Sequence, residues 1–236
     1  MRPLLLLVLS LSFGGNKKAP LESVGYIYIQ ESILTCENYK NCEVRMVEAA
    51  GTATRIIWND EFYWLSAGHV CESSASPKEM SIVRSMKITA LGGKMEKNED
   101  VRFTVYKNDE ETDLCLIKAS KGPARVIGNK SPNPGEKIIT FAFPDGVYYD
   151  EMYPLYEGTY NGKEDKFHCL TSIPVSPGSS GAGVINKNGE LIGVISSVSS
   201  SFNHRTIYSC EFATKWFVSI AAEMLKEKIA SNKKIE

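Results

Sequence analysis

Three short segments of the chain carry side chains that could together perform nucleophilic catalysis. They hold His69 after an alanine and a glycine, Asp113 before an apolar run, and Ser180 among glycines. A serine hydroxyl is a weak nucleophile at neutral pH, so it needs a base within hydrogen-bond reach and a third group that fixes the tautomer of that base. Histidine can serve as the base and aspartate as the third group. The three residues therefore predict a catalytic triad.

The glycine-rich segment around Ser180 would also supply hydrogen-bond donors to the reaction. Negative charge develops on the attacked carbonyl oxygen, and backbone N–H groups that already point at this oxygen stabilise it. Glycines allow the backbone to take the required shape. We therefore expect the N–H groups of Gly178 and Ser180 to form an oxyanion hole, in which the loss of one donor typically costs about a hundredfold in rate.

Each of these residues also has an ordinary structural explanation. A cluster of Gly and Ser between two apolar runs is most often a turn. Asp113 could simply begin a strand, and His69 could be a buried histidine with satisfied hydrogen bonds. All three residues nevertheless occur together, each at the edge of an apolar run, and this joint occurrence favours the catalytic interpretation.

The segments that lead to His69 and Asp113 have the pattern of strands. Gly51–Ile57 and Phe62–Leu65 predict a hairpin whose second strand ends near His69. Farther along, Lys107–Thr112 predicts a charged turn, and the strand that follows begins at Asp113.

A second hairpin is predicted after Ser180, from Ala182–Ile185 and Leu191–Ser197, with its turn at Asn186–Gly189. The segment Tyr148–Lys166 is rich in tyrosine, glycine and charge, and we expect it to be a long loop near the substrate groove. Loops of this kind often set specificity.

The composition fits an all-β protein. The chain has 236 residues, of which 43% are apolar, and short apolar runs recur between clusters of Gly, Pro, Asn and Asp. One long helical pattern is present, from 213 to 230, where apolar residues return at 3.6-residue spacing. We expect this segment to be a structural helix.

These motifs resemble those of the trypsin-like, chymotrypsin-fold serine proteases, in style the HtrA/Deg-type and glutamyl-endopeptidase-type members. The similarity runs roughly from Val24 to Leu225 and is strongest at LSAGHV, TDLCLI and PGSSGAG. It implies two antiparallel six-stranded β-barrels, from residues 21–122 and 123–212, followed by the helix at 213–230, in one peptidase domain. His69 and Asp113 would come from the first barrel and Ser180 from the second, at a junction where clefts form.

The residue before the expected nucleophile departs from the digestive enzymes of this family. Those enzymes carry an aspartate there that pairs with a newly cut N-terminus, whereas this chain has Ser179. Activation by such a salt bridge is therefore not expected. Ala182 replaces a second glycine that usually follows the nucleophile, a small change that the fold should tolerate.

The resemblance also implies where the substrate side chain before the cleaved bond would bind. The matching positions are Ile173, Pro174, Ser196, Ser197 and Val198. None of them is charged, so we expect a small or medium apolar side chain. A plain flexible turn is the alternative for the serine-rich run that begins at Ser196.

The first 15 residues have the pattern of a secretory signal peptide. A short basic start is followed by the leucine-rich run Leu4–Leu11 and a small-residue exit. The apolar run of about ten residues is well short of the roughly 20 that a membrane span needs. We expect export to a secreted or periplasmic location without stable membrane insertion; an uncleaved anchor and a buried strand are the alternatives.

Six cysteines in an exported chain indicate disulfides, and six allow 15 pairings. Cys36 and Cys42 could close a local loop, or one of them could pair with Cys71. By the resemblance, Cys169–Cys210 would join neighbouring strands of the second barrel. Cys115 could be a free thiol in the core.

The formal net charge is −1, with both signs interspersed, which gives no electrostatic case for nucleic-acid binding. The spacing of Cys and His does not suggest zinc, and we expect no cofactor. His168 and His204 are expected at the surface. The expected partner is a protein or peptide substrate, and the expected state is a monomer.

Two functions fit these observations. The first is a secreted serine endopeptidase that hydrolyses peptide bonds through an acyl-enzyme. The second is a non-catalytic member of the same fold that binds a peptide or protein. An esterase on an α/β-hydrolase fold is disfavoured, because that fold orders its triad Ser, Asp, His and alternates strands with helices.

Overall fold

The computed structural model describes residues 21–37, 41–91, 95–98, 105–109, 112–128, 130–144, 155–199 and 205–210. The expected signal peptide at 1–15, the expected helix at 213–230 and His204 lie outside the described residues. Within the described ranges, no helix is long and apolar enough to cross a membrane.

The N-terminal half forms a seven-stranded antiparallel sheet. In spatial order the strands run β5-β4-β1-β2-β3-β7-β6. A short helix, α1, follows β3. The elements are β1 (Val24–Glu37), β2 (Asn41–Trp58), β3 (Glu61–Ala67), α1 (Gly68–Cys71), β4 (Met80–Ala90), β5 (Met95–Asn98), β6 (Val105–Asp109) and β7 (Leu114–Lys118).

The C-terminal half forms a closed six-stranded barrel. Its order is β10-β13-β12-β11-β8-β9. The strands are β8 (Lys137–Phe141), β9 (Leu155–Lys163), β10 (His168–Thr171), β11 (Gly183–Ile185), β12 (Leu191–Ser199) and β13 (Arg205–Cys210). Together with the N-terminal sheet this confirms the all-β, chymotrypsin-like double barrel, although the first half has seven strands rather than the expected six.

The hairpin that leads to His69 is confirmed. β2 and β3 pair from Thr54 opposite Leu65 to Trp58 opposite Glu61. Asn59 and Asp60 form the turn between them, with φ of 49° and 61°. Two consecutive left-handed residues match the right-handed twist of a hairpin, and Asn and Asp tolerate this conformation better than most side chains.

Two predicted loops are shorter than expected. Of the predicted loop Tyr148–Lys166, residues 148–154 lie outside the described part of the chain, and β9 (Leu155–Lys163) pairs with both β8 and β10. Its pattern was hidden by glycines, one of which is needed for packing: a Cβ at Gly158 would lie 2.5 Å from the backbone nitrogen of Ile173. The turn predicted at Lys107–Thr112 also begins later, because β6 continues to Asp109.

The two halves share part of their hydrophobic core. Ile56, Tyr63, Leu65, Leu114 and Leu116 of the first sheet form one cluster with Leu191 and Val194 of β12. The segment between the halves adds single bridges from Arg125 to Ile56 and from Ile127 to Leu191. The boundary expected near residue 122 stays a prediction.

Three disulfides join all six cysteines. Cys36–Cys42 closes the tip of the β1–β2 hairpin, and Cys169–Cys210 joins β10 to β13 as expected. The free thiol predicted at Cys115 is wrong, because Cys115 pairs with Cys71. The register explains this pairing: β7 lies beside β3, so Cys115 is adjacent to the short helix that ends at Cys71.

Candidate active site

The strand register brings His69 and Asp113 together. β3 ends at Ala67, which pairs with Leu114, the first residue of β7. His69 lies two residues after the end of one strand, and Asp113 lies directly before the start of its neighbour. Because β3 and β7 are antiparallel, the end of β3 lies beside the start of β7, and the two positions meet there.

Asp113 holds the histidine through three contacts. Its carboxylate lies 2.9 Å from Nδ1 of His69 and accepts a 2.9 Å hydrogen bond from the backbone N–H of His69. The N–H of Gly68 donates to the carbonyl oxygen of Asp113 at 2.8 Å. Asp113 has a φ of 50°, a left-handed conformation that costs about 1–3 kcal/mol outside glycine and is often found at functional sites.

Ser196 is a further hydrogen-bond partner of the Asp113 carboxylate. Its hydroxyl donates a 2.5 Å hydrogen bond to the Asp113 carboxylate, although the sequence indicated only a substrate-binding role. Ser196 lies at an irregularity in β12, between Ile195 opposite Tyr208 and Ser197 opposite Ile207. Strand periodicity cannot place a bulged residue, so the direction of this hydroxyl could not be read from the sequence.

The His69–Asp113 contact shifts both pKa values in the directions that favour an ion pair. The hydrogen bond to Asp113 raises the pKa of His69, with burial acting against it. Burial would raise the pKa of Asp113, but hydrogen bonds from His69 and Ser196 outweigh it, so the pKa of this carboxyl is lowered. Near neutral pH, Asp113 is therefore an acceptor that fixes Nδ1–H and leaves Nε2 as the basic nitrogen.

Ser180 reaches the same site through Ser196. The Ser180 hydroxyl lies 3.4 Å from the backbone carbonyl oxygen of Ser196 and donates to it. Among the described residues, no hydrogen bond joins Ser180 to His69. Ser196 thus contacts Asp113 through its side chain and Ser180 through its main chain.

The segment before Ser180 leaves two backbone donors unpaired. In the described part of the chain, the N–H groups of Gly178 and Ser180 have no hydrogen-bond partner. Gly178 has a φ of 92°, a backbone conformation that residues with a side chain rarely adopt. The predicted oxyanion donors are therefore both available to a ligand.

Ser179 faces the interior rather than the substrate groove. It is 1% exposed, and its hydroxyl lies 3.5 Å from the backbone nitrogen of Ser176. Its N–H donates to the carbonyl oxygen of Ser176 at 3.0 Å. Of the two adjacent serines, only Ser180 is partly accessible.

The expected pocket residues lie on β12 and in the segment that follows β10. Ile173 is buried, whereas Pro174, Ser197 and Val198 are exposed. Thr206, which the sequence analysis did not single out, pairs with Val198 across β12 and β13. Its hydroxyl donates to the carbonyl oxygen of Ile173 at 2.5 Å, so Thr206 joins the two sides of this region.

His168 is paired with an aspartate in a separate place. Nδ1 of His168 lies 2.9 Å from the carboxylate of Asp165, within the turn before β10. The described residues contain no group of three or more His, Cys, Asp or Glu side chains arranged to hold a metal ion.

The family model of the trypsin-like peptidase domain matches residues 51–194, more than half of the chain. The chain belongs to the trypsin-like peptidase family. By family it is a hydrolase of the serine-protease type. No curated protein sequence matches this trypsin-like peptidase significantly.

Solved structures show the same fold at low sequence identity. The active form of the Rv3671c protease from M. tuberculosis is 15% identical, with a TM-score of 0.58 over 83% of this peptidase and 78% of that chain. A serine-to-alanine variant of the HtrA-type protease AlgW, solved with a decapeptide, is 16% identical. Its TM-score is 0.65 over 87% of this peptidase and 64% of that chain.

A serine endoprotease from Yersinia pestis is 16% identical, with a TM-score of 0.57 over 92% of this peptidase and 68% of that chain. At such identities, the structural likeness shows the fold alone. The family resemblance drawn from the sequence motifs is confirmed.

Proposed function

We propose that this trypsin-like peptidase is a serine endopeptidase that cleaves peptide bonds through an acyl-enzyme, with His69, Asp113 and Ser180 as its triad. The observation that carries the proposal is the position of Ser196, whose side chain contacts Asp113 while its carbonyl contacts the Ser180 hydroxyl. Ser196 thus contacts both Asp113, from the first half of the molecule, and Ser180, the proposed nucleophile from the second half.

In the first half of the reaction, Ser180 Oγ attacks the substrate carbonyl carbon and its proton passes to Nε2 of His69. Asp113 holds Nδ1–H and stabilises the imidazolium. Collapse of the tetrahedral intermediate breaks the C–N bond, and His69 returns the proton to the leaving amine. The catalytic hydrogen bonds of such sites are often long before substrate binds, which fits a Ser180 hydroxyl that contacts Ser196 rather than His69.

In the second half, His69 takes a proton from water, which attacks the ester carbonyl on Ser180. The ester bond breaks as His69 returns that proton to Ser180 Oγ, so the carboxylic acid leaves and the Ser180 hydroxyl is restored. In both halves the unpaired N–H groups of Gly178 and Ser180 would stabilise the negative charge on the carbonyl oxygen.

The proposed specificity is for a small or medium apolar side chain before the cleaved bond. Val198, in the strand that carries Ser196, pairs with Thr206, whose hydroxyl donates to the carbonyl oxygen of Ile173. Thr206 is 2% exposed, and its hydroxyl is already used by Ile173. The methyl group of Thr206 would therefore limit the depth available to a substrate side chain without adding a charge that a basic or acidic residue could pair with.

The proposed substrate is an extended segment of a protein or peptide. β12 pairs with β13 along Ser197–Ser199, and a peptide that reaches Ser180 would run beside this strand. The AlgW structure solved with a decapeptide is a neighbour of this fold that binds a peptide. We also propose export by the segment 1–15 and a monomeric peptidase.

The second candidate function is peptide binding without cleavage. It is favoured by one observation, the absence of a Ser180–His69 hydrogen bond among the described residues. A binding module would retain peptide affinity but would release no new N-termini.

The test is digestion of a mixed-sequence peptide library by the purified protein and by Ser180→Ala and Ser179→Ala. We expect new N-termini with the wild type and with Ser179→Ala, and none with Ser180→Ala. Ser179→Ala is a matched control, because it removes the neighbouring hydroxyl from the same loop. Equal digestion by Ser180→Ala would contradict the assignment, and binding without cleavage by the wild type would support the second function.

A further inference from the structure

Thr52 of β2 contacts the nucleophile loop, Pro177–Gly181, from the opposite half of the molecule. The residue is fully buried. Its N–H donates to the carbonyl oxygen of Ser180 at 2.8 Å, and its hydroxyl donates to the carbonyl oxygen of Gly178 at 2.9 Å. A single residue of the first sheet therefore holds two carbonyl groups of this loop.

The direction of the Thr52 hydroxyl is fixed by a third contact. The backbone N–H of Phe143, next to β8, donates to the same hydroxyl oxygen at 3.1 Å. A hydroxyl has one proton to donate and two lone pairs that accept. Because Phe143 supplies a proton, the Thr52 proton must go to Gly178. The Thr52 hydroxyl therefore accepts from Phe143 and donates to Gly178, and the reverse directions are excluded.

The peptide groups of the loop show what these contacts accomplish. In the unit that joins Gly178 to Ser179, the carbonyl accepts from Thr52 and the N–H donates to Ser176. In the unit that joins Ser180 to Gly181, the carbonyl accepts from Thr52 and the N–H donates to Ile195. Both units are therefore held at both ends.

The proposed oxyanion donors lie directly beside these fixed units. The N–H of Ser180 belongs to the peptide unit that joins Ser179 to Ser180. The carbonyl oxygen of this unit, from Ser179, accepts from the N–H of Ala182 at 3.0 Å. The N–H of Gly178 precedes the first fixed unit. Fixing the neighbouring peptide planes restricts the two torsions that could turn these N–H groups away.

The carbonyl group of Thr52 also lies very close to the nucleophile loop. A Cβ at Gly181 would lie 2.0 Å from the carbonyl oxygen of Thr52 and 2.1 Å from Oγ of Ser66. Ser66 in turn donates to the Thr52 carbonyl at 2.8 Å. All the polar groups of Thr52 are thus used, and none is left to bind substrate.

We propose that the Thr52 hydroxyl is a positioning group that holds the nucleophile loop in the conformation in which the N–H groups of Gly178 and Ser180 can donate to an oxyanion. The inference rests on the proposed function, because it assumes that Gly178 and Ser180 stabilise an oxyanion. Without the hydroxyl, the Gly178 carbonyl loses its partner and the adjoining peptide groups can rotate. Donors that must be reoriented during the reaction stabilise the transition state less than donors already in place.

The first test is the rate of inactivation by an alkyl fluorophosphonate, resolved into the maximal rate constant and the half-saturating concentration. In this reaction Ser180 Oγ forms a bond to phosphorus, fluoride leaves, and His69 takes the hydroxyl proton. For Thr52→Val we expect the rate constant to fall about tenfold to a hundredfold and the half-saturating concentration to stay within about threefold. Thr52→Ser keeps the hydroxyl and should restore the rate constant.

Thr54→Val is the matched control. Thr54 is also buried in β2, and its hydroxyl accepts from the N–H of Gly183 at 3.0 Å, two residues beyond the end of the nucleophile loop. It should label at the wild-type rate. A merely structural loss would reduce the final amount of labelled protein and leave the rate constant unchanged. Wild-type rates in Thr52→Val, equal slowing in Thr52→Ser, or equal slowing in Thr54→Val would each overturn the proposal.

A second test does not need activity. Amide hydrogen exchange of the peptide spanning 177–181 should be faster in Thr52→Val than in the wild type, Thr52→Ser or Thr54→Val. Unchanged exchange would overturn the anchoring role even if the wild type is active. Faster exchange together with a wild type that resists the fluorophosphonate would contradict the proposed protease function alone. If Thr52→Val does not fold, Thr52→Ala takes its place in both comparisons.

Discussion

At the scale of single residues, the chemistry of the site depends on one ion pair. His69 is about half exposed, with 47% of its side chain accessible, while Asp113 is at 21%. The hydrogen bond that His69 donates to Asp113 raises the pKa of His69, and a general base works only when it is deprotonated. In the proposed mechanism, the pair would therefore orient the base and set the pH at which the base becomes active.

The pH dependence of catalysis should show this raised pKa. Below the pKa of His69 the imidazole is protonated and cannot accept the Ser180 proton, so kcat/KM should rise with pH. The midpoint of that rise should lie above the ordinary imidazole value of about 6.5. In Asp113→Asn the midpoint should move to lower pH, and kcat should drop about ten-thousandfold. An unmoved midpoint would contradict the role of Asp113.

Thr206 is expected to limit the depth of the proposed substrate pocket. Thr206→Ala removes the methyl group and the bond to Ile173, so the proposed pocket becomes deeper. Cleavage after Leu, relative to Ala, should increase about tenfold in kcat/KM, measured with paired peptide substrates. Thr140→Ala is the control, since Thr140 is equally buried in this barrel but its hydroxyl donates to the carbonyl oxygen of Gly183. The same change of preference in both variants would count against the pocket assignment.

At the scale of secondary-structure elements, a disulfide joins α1, which carries His69, to β7, which follows Asp113. Cys71 ends the helix that carries His69, and Cys115 lies two residues after Asp113. Closing a loop of this length stabilises a protein by about 4 kcal/mol in the chain-entropy model, against about 2 kcal/mol for the short Cys36–Cys42 loop.

Paired removal of cysteines tests the role of this disulfide. The double variant Cys71→Ala with Cys115→Ala should lower both the free energy of unfolding and kcat. The double variant Cys36→Ala with Cys42→Ala should lose less stability and keep kcat, because the tip of the β1–β2 hairpin carries no proposed catalytic residue. Urea denaturation and peptide hydrolysis measure the two effects. A normal kcat without the Cys71–Cys115 bridge would show that the register of β3 and β7 suffices to hold the pair.

The elements also show what the sequence could and could not predict. Apolar runs bounded by turns identified β3, β7 and β11, so the positions of His69, Asp113 and Ser180 at their ends followed directly. β9 was missed because its glycines and charges match a loop, whereas Gly158 serves close packing against Ile173. Contacts between distant strands, such as those of Ser196 and Thr52, depend on register and bulges that local patterns do not contain.

At the scale of the whole molecule, the two halves are joined by a shared core and by polar contacts at the site. Leu191 of the second barrel packs in a cluster with Ile56 and Leu65 of the first sheet. The hydroxyl of Ser209 also donates to the carbonyl oxygen of Thr112. The candidate site is therefore assembled only when both halves are folded and docked.

This arrangement predicts that the two halves unfold together. Trp58 and Trp64 lie in the first sheet, so their fluorescence and the exchange of amides in β12 should report the same urea midpoint. Leu191→Ala, which leaves a cavity at the shared core, should lower the free energy of unfolding by about 2–5 kcal/mol and shift both midpoints equally. Two separate midpoints would show that the halves are independent.

The assignment of Ser180 as nucleophile is tested most directly by mass spectrometry after reaction with a fluorophosphonate. We predict one added phosphonyl group per chain, located by peptide mapping on Ser180, and no addition to Ser180→Ala or His69→Ala. Ser179→Ala should react like the wild type, which separates the two adjacent hydroxyls. A folded wild-type protein that gains no mass, or that carries the group on another residue, would contradict the account.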